Sequence, residues 1–312
     1  MSALTWWTRP ATQRPGLRYW PGRIFLGPRG VRAGWRVLVF AAFALGAGLA
    51  VQALLAGVVT LPDKGEVPAR IAFALEATQA VIILGITWLM ARLEGRSVWS
   101  YGLSGPHAVR RLAIGWVAGL ACLSALIAAL AATGNIAFDG IALHGLAIPS
   151  YALIWAVGFL LVGFVEETVI RGYAQSTLTD GIGFWPAALV TSSLFAADHL
   201  TNHGETVLGV VQVFAAGLAW CLLLRVTGSL WMGIGFHAAW DWAQSYLYGT
   251  ADSGWIMQGH LLASRAVGDP RMSGGADGPE GSVLASPIML AGALLLAWGI
   301  GRRHAASRAA GG

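Results

Sequence analysis

Eight long apolar runs divide this chain, at residues 35–61, 69–92, 110–133, 149–178, 184–200, 205–226, 229–249 and 283–301. A helix needs about 20 mainly apolar residues to cross the hydrocarbon layer of a bilayer. In lipid every backbone amide must be satisfied internally, so runs of this length form helices there. The expected fold class is therefore all-α, a polytopic transmembrane bundle of about eight spans. Composition agrees: 56% of the residues are hydrophobic and 11% are charged, against roughly 25% charged in a soluble domain. The expected organisation is an Arg-rich tail at 1–33, a bundle at 34–303 with its polar motifs in 149–249, and a short tail at 304–312.

The basic residues give the bundle a direction. Lys64 is the only lysine. Arginines collect in the N-terminal tail (Arg9, Arg14, Arg18, Arg23, Arg29, Arg32), after the second run (Arg92, Arg96, Arg110, Arg111) and at the C-terminus (Arg302, Arg303, Arg308). An even number of spans puts these three regions on one side, which the positive-inside rule makes the cytoplasm. The expectation is a multi-pass protein of the plasma (inner) membrane with both termini cytoplasmic and the Gly-rich loop 250–282 outside. The N-terminal 33 residues are too long and too basic for the start of a secretory signal. No basic stretch is interleaved with aromatics, so no nucleic-acid partner is expected. Membrane lipids are the expected surroundings. Cys122 and Cys221 both fall inside apolar runs and read as small buried hydrophobes.

Ionisable groups inside lipid cost about 2.5–3.5 kcal/mol on insertion scales and mark functional sites by default. Here they cluster on three runs. The fourth holds Glu166, Glu167 and Arg171, the fifth holds Phe195, Asp198 and His199, and the seventh holds His237 and Asp241. On a helix, Glu167 and Arg171 share a face and can pair. Glu166 lies about 100° round from Glu167 and about 140° from Arg171, and is left without a local cation. Glu167–Arg171 thus reads as structural support and Glu166 as the reactive group. His237 and Asp241 present to one side, and Phe195 can wall the pocket of His199. Counting at 1.5 Å per residue puts Glu166 and His237 in the cytoplasmic half of the layer, with His199 about 10 Å too far out. Glu76, Gln79 and Gln212 read as packing or pore-side contacts, and tryptophans near span ends read as interfacial anchors.

Three of these patterns resemble those of the family of CAAX proteases and bacteriocin-processing enzymes (CPBP, also called Abi). Glu166, Glu167 and Arg171 match Glu-Glu-x-x-x-Arg. Phe195 and His199 match Phe-x-x-x-His. His237 and Asp241 match His-x-x-x-Asn/Asp. The turn Gly278-Pro279-Glu280-Gly281 is also similar to that of many members. The resemblance implies an intramembrane endopeptidase that hydrolyses a peptide bond of a membrane-associated or lipidated peptide or protein. It implies that Glu166 and His199 activate water and that His237 and Asp241 support the oxyanion. Asp241 departs from the Asn of the prenyl-protein members, since an ionised carboxylate cannot donate a hydrogen bond. Glu166, His199, His237 and Asp241 are also residue types of a catalytic zinc site, although no His-Glu-x-x-His motif is present. Two other functions use similar residues: a catalytically silent scaffold or immunity protein, and a proton-coupled transporter, for which buried acids and histidines form relays.

Overall fold

A computed structural model describes residues 7, 24–28, 30–56, 66–202 and 204–310. The tail at 1–33 lies largely outside the described residues, as do Asp63 and Lys64, whereas the expected tail at 304–312 continues the last helix as far as Ala310.

Each apolar run forms a helix. These are α1 (Ala33–Leu55), α2 (Ala69–Glu94), α3 (Ala108–Ala132), α4 (Ala147–Glu167), α5 (Gln175–Ile182), α6 (Phe184–Asp198), α7 (Val207–Thr227), α8 (Trp231–Trp242) and α9 (Ala285–Ala310). A π-helical segment, Thr168–Ala174, joins α4 to α5 in one rod, and a second one, Ala243–Leu247, extends α8. Pro186 falls in the first turn of α6, where its missing N–H costs no intrahelical bond.

The expected count of about eight spans is not exact. Among the described residues, six helical rods are long and apolar enough to cross a membrane: α1, α2, α3, α4 with α5, α7 and α9. The other two, α6 with 15 residues and α8 with 12, are shorter. They carry the second and third polar motifs, so buried chemistry has displaced the unbroken apolar length that lipid demands.

α8 runs through the middle of the bundle. Every residue from Met232 to Asp241 is buried. It reaches that position through glycines. A Cβ on Gly115 or Gly119 of α3 would stand 2.1 Å from the carbonyl oxygen of Met232 or Phe236, and one on Gly235 would stand 2.1 Å from that of Leu112. Small residues four apart let two backbones touch in this way. Leu123, Phe236, Trp240 and Met289 belong to the apolar core around this contact.

Two opposite faces result. The arginine face is pinned by Glu94, a buried acid that takes hydrogen bonds from Arg36 (2.8 Å), Tyr101 (3.2 Å) and Tyr173 (2.6 Å). On the other face the connections are knitted together. β1 (Glu66–Val67) pairs in parallel with β3 (Ile256–Met257), and β2 (Ile136–Ile141) pairs antiparallel with β4 (Leu262–Ala266). Loop 250–282 is therefore a structured cap over one end of the bundle.

Candidate active site

Under this cap is a cavity of about 200 Å³ lined by Glu166, His199, His237 and Asp241. Three helices that are separate in sequence bring these side chains to one space. Glu166 sits in the last turn of α4, His199 just beyond α6, and His237 and Asp241 one turn apart on α8.

His237 is the hub. Its Nδ1 lies 3.2 Å from Glu167 Oε1, and the same oxygen accepts from Arg171 Nη1 at 3.1 Å. A carboxylate in that place orients the ring and presents Nε2 to the cavity. There Nε2 faces Asp241 Oδ2 at 3.5 Å and Glu166 Oε2 at 3.6 Å. Both separations exceed a direct hydrogen bond and leave a place for a reacting oxygen among the three groups. The ring stacks on Trp220, with centroids 4.2 Å apart and planes 18° apart.

Arg171 is fully buried, yet only one of its nitrogens meets a carboxylate. Aromatic faces supply the rest. Its guanidinium carbon lies 4.4 Å from the centroid of Phe195 and 5.1 Å from that of Trp220, within range of a cation–π attraction. Gly217 makes room for it, since a Cβ there would come within 2.8 Å of Arg171 Nη2. Phe195 in turn contacts His199 edge-on at 4.5 Å. His199 Nδ1 donates to the Phe195 carbonyl at 2.8 Å, so its Nε2 remains the acceptor nitrogen.

The apparent mismatch in depth has a structural reason. His199 stands at the capped end of α6, and loop 250–282 descends to meet it, so Asp252, Ser253 and Glu280 join the lining. The cavity runs from the cap down to Glu166 and is not confined to the arginine-side half, as the residue count implies.

Several lining residues escape the sequence reading. Trp220, in the middle of α7 rather than near a span end, has no separate sequence reading and lines the cavity. Glu76 and Gln212, read as packing or pore-side contacts, face the same cavity as Glu166, whereas Gln79 lines a separate groove between α1 and α2. Gln212 Oε1 also accepts the backbone N–H of Ser286 at the start of α9. Asp252 carried no local signal, and Glu280 was marked only by its turn. Glu280 Oε1 accepts from Ser253 N at 2.6 Å and Ser253 Oγ at 3.2 Å, and Asp252 Oδ2 accepts from Ser245 Oγ at 2.8 Å. Burial, joined by the charge of Glu280, pushes the Asp252 carboxyl above the ordinary range, and burial, joined by the charge of Glu205, does the same for Glu280. Asp277, behind them and 1% exposed, is pushed up to about 9 by burial and by the charges of Glu280, Glu205 and Asp252.

Zinc needs its donors about 2.0–2.3 Å from one point. Among the described residues, no three His, Cys, Asp or Glu side chains are arranged to hold a metal. The zinc expectation finds the ligand types here but not the closed set, and no chemical step is derived through a metal.

Residues 148–243 match the model of a known family, described as type II CAAX prenyl endopeptidase Rce1-like. The motif-bearing core is thus similar to type II CAAX prenyl endopeptidases. The matched segment begins in α4 and ends at the close of α8, so it holds every residue of the three polar motifs. The cap, with Asp252 and Glu280, lies beyond it. No curated protein matches the chain. The apolar rods make this a multi-pass membrane protein, and its core resembles that of a peptidase family.

Proposed function

We propose that this chain is an intramembrane endopeptidase in which Glu166 and His199 activate water and His237 supports the oxyanion. The observation that carries the reading is the convergence of Glu166, His199, His237 and Asp241 on one capped cavity. A water donates one O–H to the Glu166 carboxylate and the other to His199 Nε2; Glu166 takes its proton as the oxygen attacks the scissile carbonyl. In its doubly protonated state, His237 donates from Nε2 to the tetrahedral oxyanion. Collapse breaks the C–N bond. The departing amine takes the proton from Glu166, with His199 Nε2 as the relay on the cap side. Glu167, held by Arg171, sets the orientation of His237. Asp241 orients Nε2 or, protonated, donates beside it.

The substrate is a peptide or protein segment at the membrane, and lipidation would add affinity for the bilayer. By the arginine rule both termini are cytoplasmic and the cap faces outward across the plasma (inner) membrane. Labelling of Ser264→Cys in intact cells by an impermeant thiol reagent tests that orientation; protection until lysis would reverse it. Purified protein incubated with a fluorogenic peptide library tests the chemistry. Cleavage that disappears in His199→Ala supports the enzyme. Ion flux in proteoliposomes without cleavage would favour a transporter.

A further inference from the structure

The cavity is dominated by acids, with the imidazoles of His199 and His237 as the basic groups facing them. Five carboxyl groups line it, those of Glu76, Glu166, Asp241, Asp252 and Glu280, and among the described residues no Arg or Lys side chain does. Arg171 is turned away beneath it, held against Glu167, Phe195 and Trp220. The acids are sparsely supplied with donors. Asp241 is 6% exposed, and its Oδ2 lies 3.5 Å from His237 Nε2. Glu166 has the same nitrogen at 3.6 Å. At the cap, the serine donors engage one oxygen each of Asp252 and Glu280, and both side chains line the cavity.

A buried carboxylate without donors is costly unless a ligand supplies them. A free C-terminal carboxylate entering this space would find five acidic groups against two imidazoles, and no guanidinium or ammonium among the described residues. An Arg or Lys side chain would find acceptors on several sides, and low polarity around the site would enlarge the difference. We infer that this cavity selects peptide segments bringing an Arg or Lys side chain beside the scissile bond, bound between Asp252 and Glu280, and disfavours substrates that end there in a free carboxylate. The inference rests on the peptidase reading for its turnover arm and on the lining alone for its binding arm.

The test uses the full chain in detergent with matched peptides that carry Arg, Gln or Glu beside the cleaved bond, each with a free or amidated C-terminus. The expected order of kcat/KM is Arg above Gln above Glu, with about tenfold between Arg and Gln, the factor one partly buried charge-assisted hydrogen bond supplies. Amidated peptides should outperform their free acids. Glu280→Gln and Asp252→Asn, which keep the serine contacts, should each shrink the Arg:Gln ratio severalfold. Binding of the same peptides to the parent protein, followed by fluorescence anisotropy, should show the same order. Glu or free-acid peptides bound as tightly as Arg peptides would overturn the inference, as would an Arg:Gln ratio unmoved in both variants. The binding order kept without any cleavage would overturn the peptidase reading and leave the charge selection standing.

Discussion

α1 and α8 are both apolar helices, and they solve opposite problems. α1 has 23 residues, of which only Phe40 is buried, while Leu38, Leu45, Leu49 and Leu54 are exposed. α8 has 12 residues, and ten of them are buried. The first is built to be surrounded by lipid, where unbroken length and uniform apolarity suffice. The second is surrounded by protein, so it can be short, carry His237 and Asp241, and touch α3 backbone to backbone. The difference teaches that hydropathy marks the helices that face lipid, whereas the helix that organises the chemistry is marked by its glycines and its charges.

The largest expected effect comes from breaking the support under α8. Arg171→Ala leaves Glu167 buried without its cation and should cost about 3–5 kcal/mol, read as lost expression or a collapsed melting transition in detergent. A melting curve equal to the parent's would remove Glu167–Arg171 from the framework.

Glycine substitutions sharpen the contrast directly. Gly119→Val would push a side chain into the Phe236 carbonyl, a backbone clash no rotamer relieves, and should cost about 3 kcal/mol or more. Gly46 on α1 has nothing within 4 Å of an added Cβ, so Gly46→Val should stay within about 0.5 kcal/mol of the parent. Equal thermal shifts for the two variants would erase the distinction between lipid-facing and buried helices.

A smaller effect concerns the cap. Asp277 is held at about 9 in the folded protein, against an ordinary value of about 4. A carboxyl raised in this way favours folding fully at pH below about 4 and loses that contribution as pH climbs through about 9. The melting temperature should therefore fall across that window, and Asp277→Asn should flatten the decline. A decline of the same steepness in the variant would place its origin elsewhere.

The smallest effect is expected at Asp241. The amide of Asp241→Asn supplies a donor in nearly the same place, so the variant should retain most of its hydrolytic activity on a fluorogenic peptide. Loss of most activity would show that the charge of Asp241, not its shape, is what the site uses.

The sequence carried the helices and the three motifs because both are local. Apolar length and i, i+4 spacing are read along one chain segment, which is why Glu167–Arg171 and Phe195–His199 are adjacent as their spacing implies. What it did not carry depends on packing between segments. Trp220 under His237, Glu76 opposite Glu166 and the descent of Asp252 and Glu280 into the site follow from helix placement and cap folding, which no single window encodes. Depth counted along ideal helices failed at His199 for the same reason: the cap comes down to it.

Glu166→Gln tests the central claim most directly. The substitution keeps the shape of the side chain and removes its ability to take a proton from water. The protein should remain folded in the membrane with a melting transition close to the parent's, while cleavage of the best library peptide disappears. Parental cleavage rates in Glu166→Gln would contradict the account.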